Sequence, residues 1–266
     1  MNIYESLGLL NKYCFFTLPD GDKALFPLTW PGLERDDLLE NYETDALQAV
    51  VEFMQNTECN YALIDCGADI GIYSRLLLSN TEKIRYIVAF EPNPEAFYLL
   101  EENLRNTGID IQLFESAVGS SRGKGELFFP EDDPISHAGF IRREQGGVID
   151  IVPIDDLGVP AELGLMLKLD VEGAEYDALL GAARTLSDAP HFVVQFEAHR
   201  EVVKRTGQEP VDGVKLLKQI AGDVTWIACN EEEGKVYTEL NLHQPLFDQL
   251  PSGEVYDLVV TRVNSM

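Results

Sequence analysis

Basic side chains are scarce in this chain. Its 266 residues carry 20 Lys and Arg against 46 Asp and Glu, a formal charge of −26. Phosphate backbones and anionic lipid surfaces are bound through counterion release onto Lys and Arg, so the balance argues against a nucleic-acid partner and a membrane surface. Net charge of this size also suits a salt-rich cytoplasm. Cysteine is sparse too. Cys14, Cys59, Cys66 and Cys229 form no CxxC pair and no Cys/His cluster, which points to free thiols in a reducing compartment rather than disulfides or a zinc site. No apolar run reaches the roughly 18–20 residues of a spanning helix. The N-terminal MNIYESLGLLNKYCFF has neither the basic start nor the cleavage site of a leader, so the expectation is a soluble cytoplasmic protein.

What the chain does contain is alternation. Residues 34–57 read as helix, with Leu47, Val50, Val51 and Met54 at 3–4 spacing. From residue 61, apolar runs alternate with helical stretches: YALIDC, then IGIYSRLLL; RYIVAFE, then PEAFYLLEENLRNTG; then IQLFESAVG. Later come LGLMLKLDV, AEYDALLGAARTL, HFVVQFEA, VDGVKLLKQIAG, VTWIACN and EVYDLVVTRV. This pattern predicts an α/β domain over 61–266, with a doubly wound, mostly parallel, seven-stranded Rossmann-like sheet and helices on both faces. The glycine-bearing stretch 120–153 is its largest interruption, loop-rich or hairpin-like. Residues 1–60 form an N-terminal helical and loop extension expected to cover the site.

In such a sheet the ligand crevice opens at the C-terminal strand edges where strand order reverses, here strands 61–66 and 164–170. The first ends as Asp65-Cys66-Gly67-Ala68-Asp69-Ile70-Gly71. Its G-x3-G spacing departs from the GxGxxG of dinucleotide sites, and Gly67 and Gly71 permit a tight turn in which a ligand approaches the backbone. A pyrophosphate wants bare amides, whereas Asp65 and Asp69 suit a cofactor with an ammonium and a sulfonium. The second strand ends at Glu91-Pro92-Asn93, where the acid can accept from both ribose hydroxyls or serve the next helix start. Ser116 and Ala117, after the third strand, leave room for an adenine edge.

Together IDCGADIGIYS, VAFEPNPEAFYLLEENLRN, SAVGS, VPIDDL, LKLDVEGAEYDALLGA and VVQFEAH resemble, in order and spacing, the FkbM-type methyltransferases. The resemblance runs from about Leu63 to His199. Its most specific piece is the K-x-D-x-E-G-x-E signature, Lys168 to Glu175. It implies the class I methyltransferase fold, S-adenosylmethionine as cofactor, and methylation of hydroxyls on sugars, glycans or secondary metabolites. It also implies that Asp65, Gly67 and Gly71 are the methionine-binding turn and Glu91 the ribose acid. Cys66 and Asp69 stand where the family often has Val and Asn. With Ala68, Pro92, Asn93, Ser116, Ala117 and Asp170, these residues make the expected cofactor shell.

Strand parity places Lys168, Asp170 and Glu172 on one side, and Gln195, Glu197 and His199 likewise share a side. If the two strands pair, six polar groups converge, as a site or as a structural ion-pair network. O-methylation wants a base near pH 7, for which His199 titrates best. Asp170 can serve instead, hold Lys168, or orient the acceptor. His137 lies where it can close over the site or simply face solvent, while His191 and His243 read as structural. Asp170, Glu172, Glu197 and His199 can also cradle a divalent cation, but the spacing assigns no metal. A nicotinamide-dependent oxidoreductase on a similar fold and a non-catalytic methyltransferase-like binding protein are the competing readings. The acceptor pocket is expected from 1–60, 120–150 and 231–253.

Overall fold

Apolar runs bounded by turn residues become strands stacked between helices. The computed structural model describes residues 13–28, 30, 39, 42–129, 139–230, 234–251 and 253–263. Strands β1 (Tyr13–Thr17) and β2 (Lys23–Pro27) pair as an antiparallel hairpin, followed by helix α1 (Thr44–Gln55). Next come β3 (Tyr61–Cys66), α2 (Ile72–Asn80), β4 (Ile84–Phe90), α3 (Pro94–Leu104) and β5 (Asp110–Phe114). A smaller sheet holds β6 (Ala117–Val118), β7 (Gly123–Phe128), β8 (Phe140–Arg143) and β9 (Ile149–Val152). Then follow β10 (Gly164–Leu169), α4 (Glu175–Leu180), α5 (Ala183–Asp188), β11 (His191–His199), α6 (Arg200–Thr206) and α7 (Pro210–Ala221). The chain continues through β12 (Thr225–Asn230), β13 (Lys235–Tyr237), α8 (Leu246–Gln249) and β14 (Val255–Val263).

Among the described residues the main sheet has eight strands, ordered β13-β12-β14-β11-β10-β3-β4-β5. The expected seven are therefore one too few. From β11 to β5 all neighbours are parallel, whereas β14 runs antiparallel between β11 and β12, and β13 antiparallel at the edge. The physical reason is that β14 is covered on both faces and so reads like any buried parallel strand. The edge strand β13 is three residues long and mostly exposed, and leaves no apolar run to find.

Strand order reverses between β3 and β10, which pair in register with Lys168 opposite Asp65. Leu63, Met166 and Val193 face α1, α2 and α3, while Ile64, Leu167 and Val194 face α4, α5 and α7. Helices thus cover both faces. Cys66 is buried on the second face as a small apolar residue, and all four cysteines are free thiols.

The helix expected over 34–57 occupies only Thr44–Gln55: Leu39 is in a turn, and Glu43 breaks the helix with φ +46°. Residues 34–38, 40 and 41 lie outside the described residues, as does His137. The described part of 1–60 shares its core with the sheet, through Leu25, Phe26, Val50 and Met54. Asn103 of α3 staples it in place. Its side-chain amide donates to the carbonyls of Leu25 and Ile70, and its Oδ1 accepts from Leu25 N–H. Arg75 of α2 adds an ion pair to Asp22 in the hairpin turn at 2.8 Å. No helix among the described residues is long and apolar enough to cross a membrane.

Candidate functional site

The turn after β3 carries three left-handed residues, Gly67 (φ +75°), Asp69 (φ +47°) and Gly71 (φ +84°). Asp and Asn tolerate this region better than other residues with a Cβ, which accounts for the residue type at 69. A Cβ at Gly67 would stand 1.8 Å from the carbonyl oxygen of Asp170, and one at Gly71 2.8 Å from Leu100 Cδ1. At Gly67 the protein's own backbone leaves no room for a side chain, while at Gly71 the left-handed backbone is what favours glycine. Gly67 and Ala68 each donate an N–H to Phe90 O at 2.9 Å, clamping the turn onto the end of β4.

Glu91 stands at that end. Its Oε2 accepts from Asp69 N–H at 2.9 Å and its Oε1 from Asn93 N–H at 2.7 Å. Burial and the neighbouring Asp69 push its pKa up to about 8, against the two backbone N–H groups that lower it. Asn93 caps α3 by accepting from Glu95 N–H, with Pro94 beginning the helix. The helix-start role and the strand-end acid therefore belong to different residues.

The signature segment folds as a strand end and a turn. Lys168 is buried, with Nζ 2.8 Å from Glu43 Oε2, 3.6 Å from Asp257 Oδ1 and 3.8 Å from Asp170 Oδ2. Burial opposes its charge, but Glu43, Asp257 and Asp170 overcome this and hold its pKa well above the ordinary lysine value. Gln195, opposite Lys168 on β11, donates to Glu43 at 2.6 Å and to Asp257 at 2.9 Å, and accepts from Tyr73 O–H at 2.6 Å. Glu172 (φ +51°) and Gly173 make the turn, held by Glu175 Oε1, which accepts from the N–H groups of Val171 and Gly173.

A cavity of about 360 Å³ opens at these strand ends. Asp65, Gly67, Ala68, Asp69, Glu91, Pro92, Asn93, Ser116, Ala117, Lys168 and Asp170 line it; Gly71, Glu172 and His199 do not. Asp65 accepts from Ser74 O–H at 2.6 Å, and burial raises its pKa to about 6. Ser116 Oγ is buried with no hydrogen-bond partner among the described residues. Further wall comes from Tyr13, Pro27, Trp30 and Tyr42 of the N-terminal segment, from Glu95 of α3, and from Leu127, Phe129 and Ile141 in and beside the smaller sheet.

The strand pairing assumed for the six polar groups is present, yet they divide. Lys168 and Gln195 enter the buried network, and Asp170 faces the cavity. Carboxylate oxygens of Asp170, Glu172 and Glu197 lie within 4.8 Å of one another, and His199 is outside that group. Burial and Asp170 raise Glu172 to about 7 and Glu197 to about 10, and Arg205 pairs with Glu172 at 3.7 Å. No metal is assigned to these three carboxylates. His199 lines a small separate pocket beside α6, and its Nδ1 caps that helix by accepting from Glu201 N–H at 3.1 Å. His191 begins β11 partly buried, and His243 is exposed in a turn.

Sequence reasoning missed Glu43, Asp257, Tyr42 and Tyr73. Asp257 had a signal, a lone acid inside the apolar run EVYDLVV. Glu43 had none, because it precedes a helix where acids are common. For His199→Ala we expect loss of a helix cap and a lower unfolding temperature, about 1 kcal/mol of stability.

The sequence model of the family described as Methyltransferase FkbM domain matches residues 65–218. The hexuronic acid methyltransferase AglP of Haloferax volcanii is 29% identical over 196 residues, 72% of this chain and 74% of that protein. The crystal structure of Methyltransferase FkbM from Methylobacillus flagellatus KT superposes with a TM-score of 0.50 at 20% identity, covering 76% of this chain. This chain spans 43% of that one, and the likeness concerns the fold alone.

Proposed function

The chain belongs to the FkbM methyltransferase family, and from that premise we propose that it transfers a methyl group from S-adenosylmethionine to a hydroxyl of a sugar, glycan or secondary metabolite. The observation that carries the reading is the charge of the cavity wall. Asp65, Asp69, Glu95 and Asp170 line it, and Lys168, its one cation among the described residues, is already ion-paired. A dinucleotide pyrophosphate would meet repulsion there, whereas a cofactor carrying an ammonium and a sulfonium is favoured. That weighs against a nicotinamide-dependent oxidoreductase. The orphaned Ser116 Oγ also fits a group that brings its own hydrogen-bonding edge.

When bound, the cofactor supplies an electrophilic methyl group. In this reading Glu91 accepts from the ribose hydroxyls, Ser116 and Ala117 border the adenine, and Asp65 and Asp69 attract the ammonium end. Tyr13, Pro27, Trp30 and Tyr42 of the N-terminal segment add an apolar wall around the bound cofactor. Asp170, partly exposed on the wall, takes up the acceptor's proton; His199 lines a different pocket. The name of the Haloferax volcanii protein favours a sugar among the acceptors.

The test is thermal unfolding with S-adenosylhomocysteine and with NAD, followed by labelled-methyl transfer to a cell extract. We expect a shift with the first ligand only, and a labelled product. A shift with NAD alone would overturn the reading, and binding without transfer would favour a non-catalytic protein. Glu91→Ala should weaken S-adenosylhomocysteine binding at least about tenfold with the fold intact, read by calorimetry. Ionised Glu91 is the better acceptor, so affinity should rise with pH up to about 8, and Glu91→Gln should flatten the rise. A pH-independent wild-type affinity would remove Glu91 from the ribose.

A further inference from the structure

We propose that Tyr42 closes the methionine end of the cofactor pocket and that Glu43 is the residue that positions it, an inference resting on the function proposed above. Tyr42 lines the cavity together with Lys168 of β10 and with Asp69 and Asp170 of the turns after β3 and β10, and all three charges act on its phenol. In the function proposed above these turns hold the methionine end of the cofactor, so Tyr42 borders the end of the cavity where the methyl group would be presented.

Glu43 does not line the cavity; its carboxylate is buried against Lys168 and Gln195. Oε2 lies 2.8 Å from Lys168 Nζ and accepts from Gln195 Nε2 at 2.6 Å, tying the residue before α1 to two adjacent strands in the sheet's middle. Two local costs accompany this. Glu43 adopts φ +46°, a region that side chains other than those of Gly, Asn and Asp rarely occupy. It also holds the N-cap position of α1 without capping it, since its oxygens serve Lys168 and Gln195 in place of the helix N–H groups. Neither is explained by helix formation alone. Both follow if the chain must reverse at 43, with α1 held on the sheet by Leu47, Val50 and Met54 and Tyr42 directed to the pocket. Lys168, the first residue of the signature, then has a role besides neutralising carboxylates: it is the anchor for the pocket's covering segment.

The experiment is a double-mutant cycle on the full chain, with S-adenosylhomocysteine binding measured by calorimetry well below the unfolding temperature. Tyr42→Ala should weaken binding about tenfold, and Tyr42→Phe should bind like wild type because the ring makes the wall. Glu43→Ala, which removes no cavity contact, should lose about as much as Tyr42→Ala, and the double variant should lose no more than either. A merely structural Glu43 would lower the unfolding temperature and leave this affinity unchanged. That result overturns the positioning role, as do additive losses. If Glu43→Ala does not fold, Glu43→Gln takes its place in the cycle, with a smaller non-additive loss expected and wild-type affinity overturning the inference. Wild-type protein that does not bind S-adenosylhomocysteine overturns the proposed function itself, and this inference with it.

Discussion

Lys168→Met should destabilise the protein by about 3–5 kcal/mol, the cost typical of breaking a buried ion pair by removing one partner. Methionine nearly matches the volume of lysine, so packing is preserved and the effect isolates the charge. What remains is Glu43 and Asp257, both buried, facing each other through Gln195 with no cation between them. In the wild type, Lys168 has a folded-state pKa above its unfolded value, so its stabilisation is fully present below about 10.5 and covers neutral pH. In the variant, Glu43, already near 8 through burial, rises further. The folded variant then binds more protons than its unfolded state from the unfolded glutamate value up to that raised value. Wild-type Glu43 behaves likewise only up to about 8, so the deficit should be larger at pH 9 than at pH 5. Adding Glu43→Gln should recover part of the loss at pH 9, because it removes a carboxyl whose ionisation there has no cation to offset it. Thermal unfolding of the three proteins at both pH values decides this. A small deficit, equal at pH 5 and pH 9, would show that the lysine carries no such load.

The same lysine marks how far the sequence could be read. A Lys inside the apolar run LGLMLKLDV cannot be buried alone, and that argument placed a polar cluster at the end of this strand. Alternation put Lys168 with Asp170 and Gln195 with Glu197, and the parallel registers of β3, β10 and β11 place Lys168 between Asp65 and Gln195. Beyond local periodicity the reading ran out. Glu43 reaches Lys168 across 125 positions of sequence, and nothing in the segment before α1 marks one acid among many as buried. The direction of β14 was hidden because a strand covered on both faces has the same apolar look in either sense. His199 shows what parity leaves out. It lies on the same side of β11 as Glu197, and both line the small pocket beside α6, but β11 ends there and its imidazole caps the helix it precedes.

Gly67→Ala carries the other large effect, for a reason the motif alone does not supply. A methyl group there would lie 1.8 Å from Asp170 O and 2.8 Å from its carbonyl carbon, far inside contact distance. Neither backbone can easily withdraw. Gly67 N–H is bonded to Phe90 O at 2.9 Å, and Asp170 N–H is bonded to Cys66 O at 3.0 Å, so separating the two turns breaks the bonds that join the strand ends. The left-handed conformation adds roughly 1–2 kcal/mol for any residue with a Cβ, and overpacking adds about 1–3 kcal/mol. With a hydrogen bond lost as well, the total should reach about 4 kcal/mol or more, among the largest single-site effects. Gly158→Ala is the control: its Cβ meets nothing within 4 Å, and it should change stability by about 0.5 kcal/mol or less. Because Gly67 is opposed by the protein rather than by a ligand, the loss should appear in thermal unfolding without any cofactor. A Gly67→Ala protein that melts like wild type but no longer binds S-adenosylhomocysteine would mean the reverse, that the glycine is kept for the ligand and the two turns have room to part.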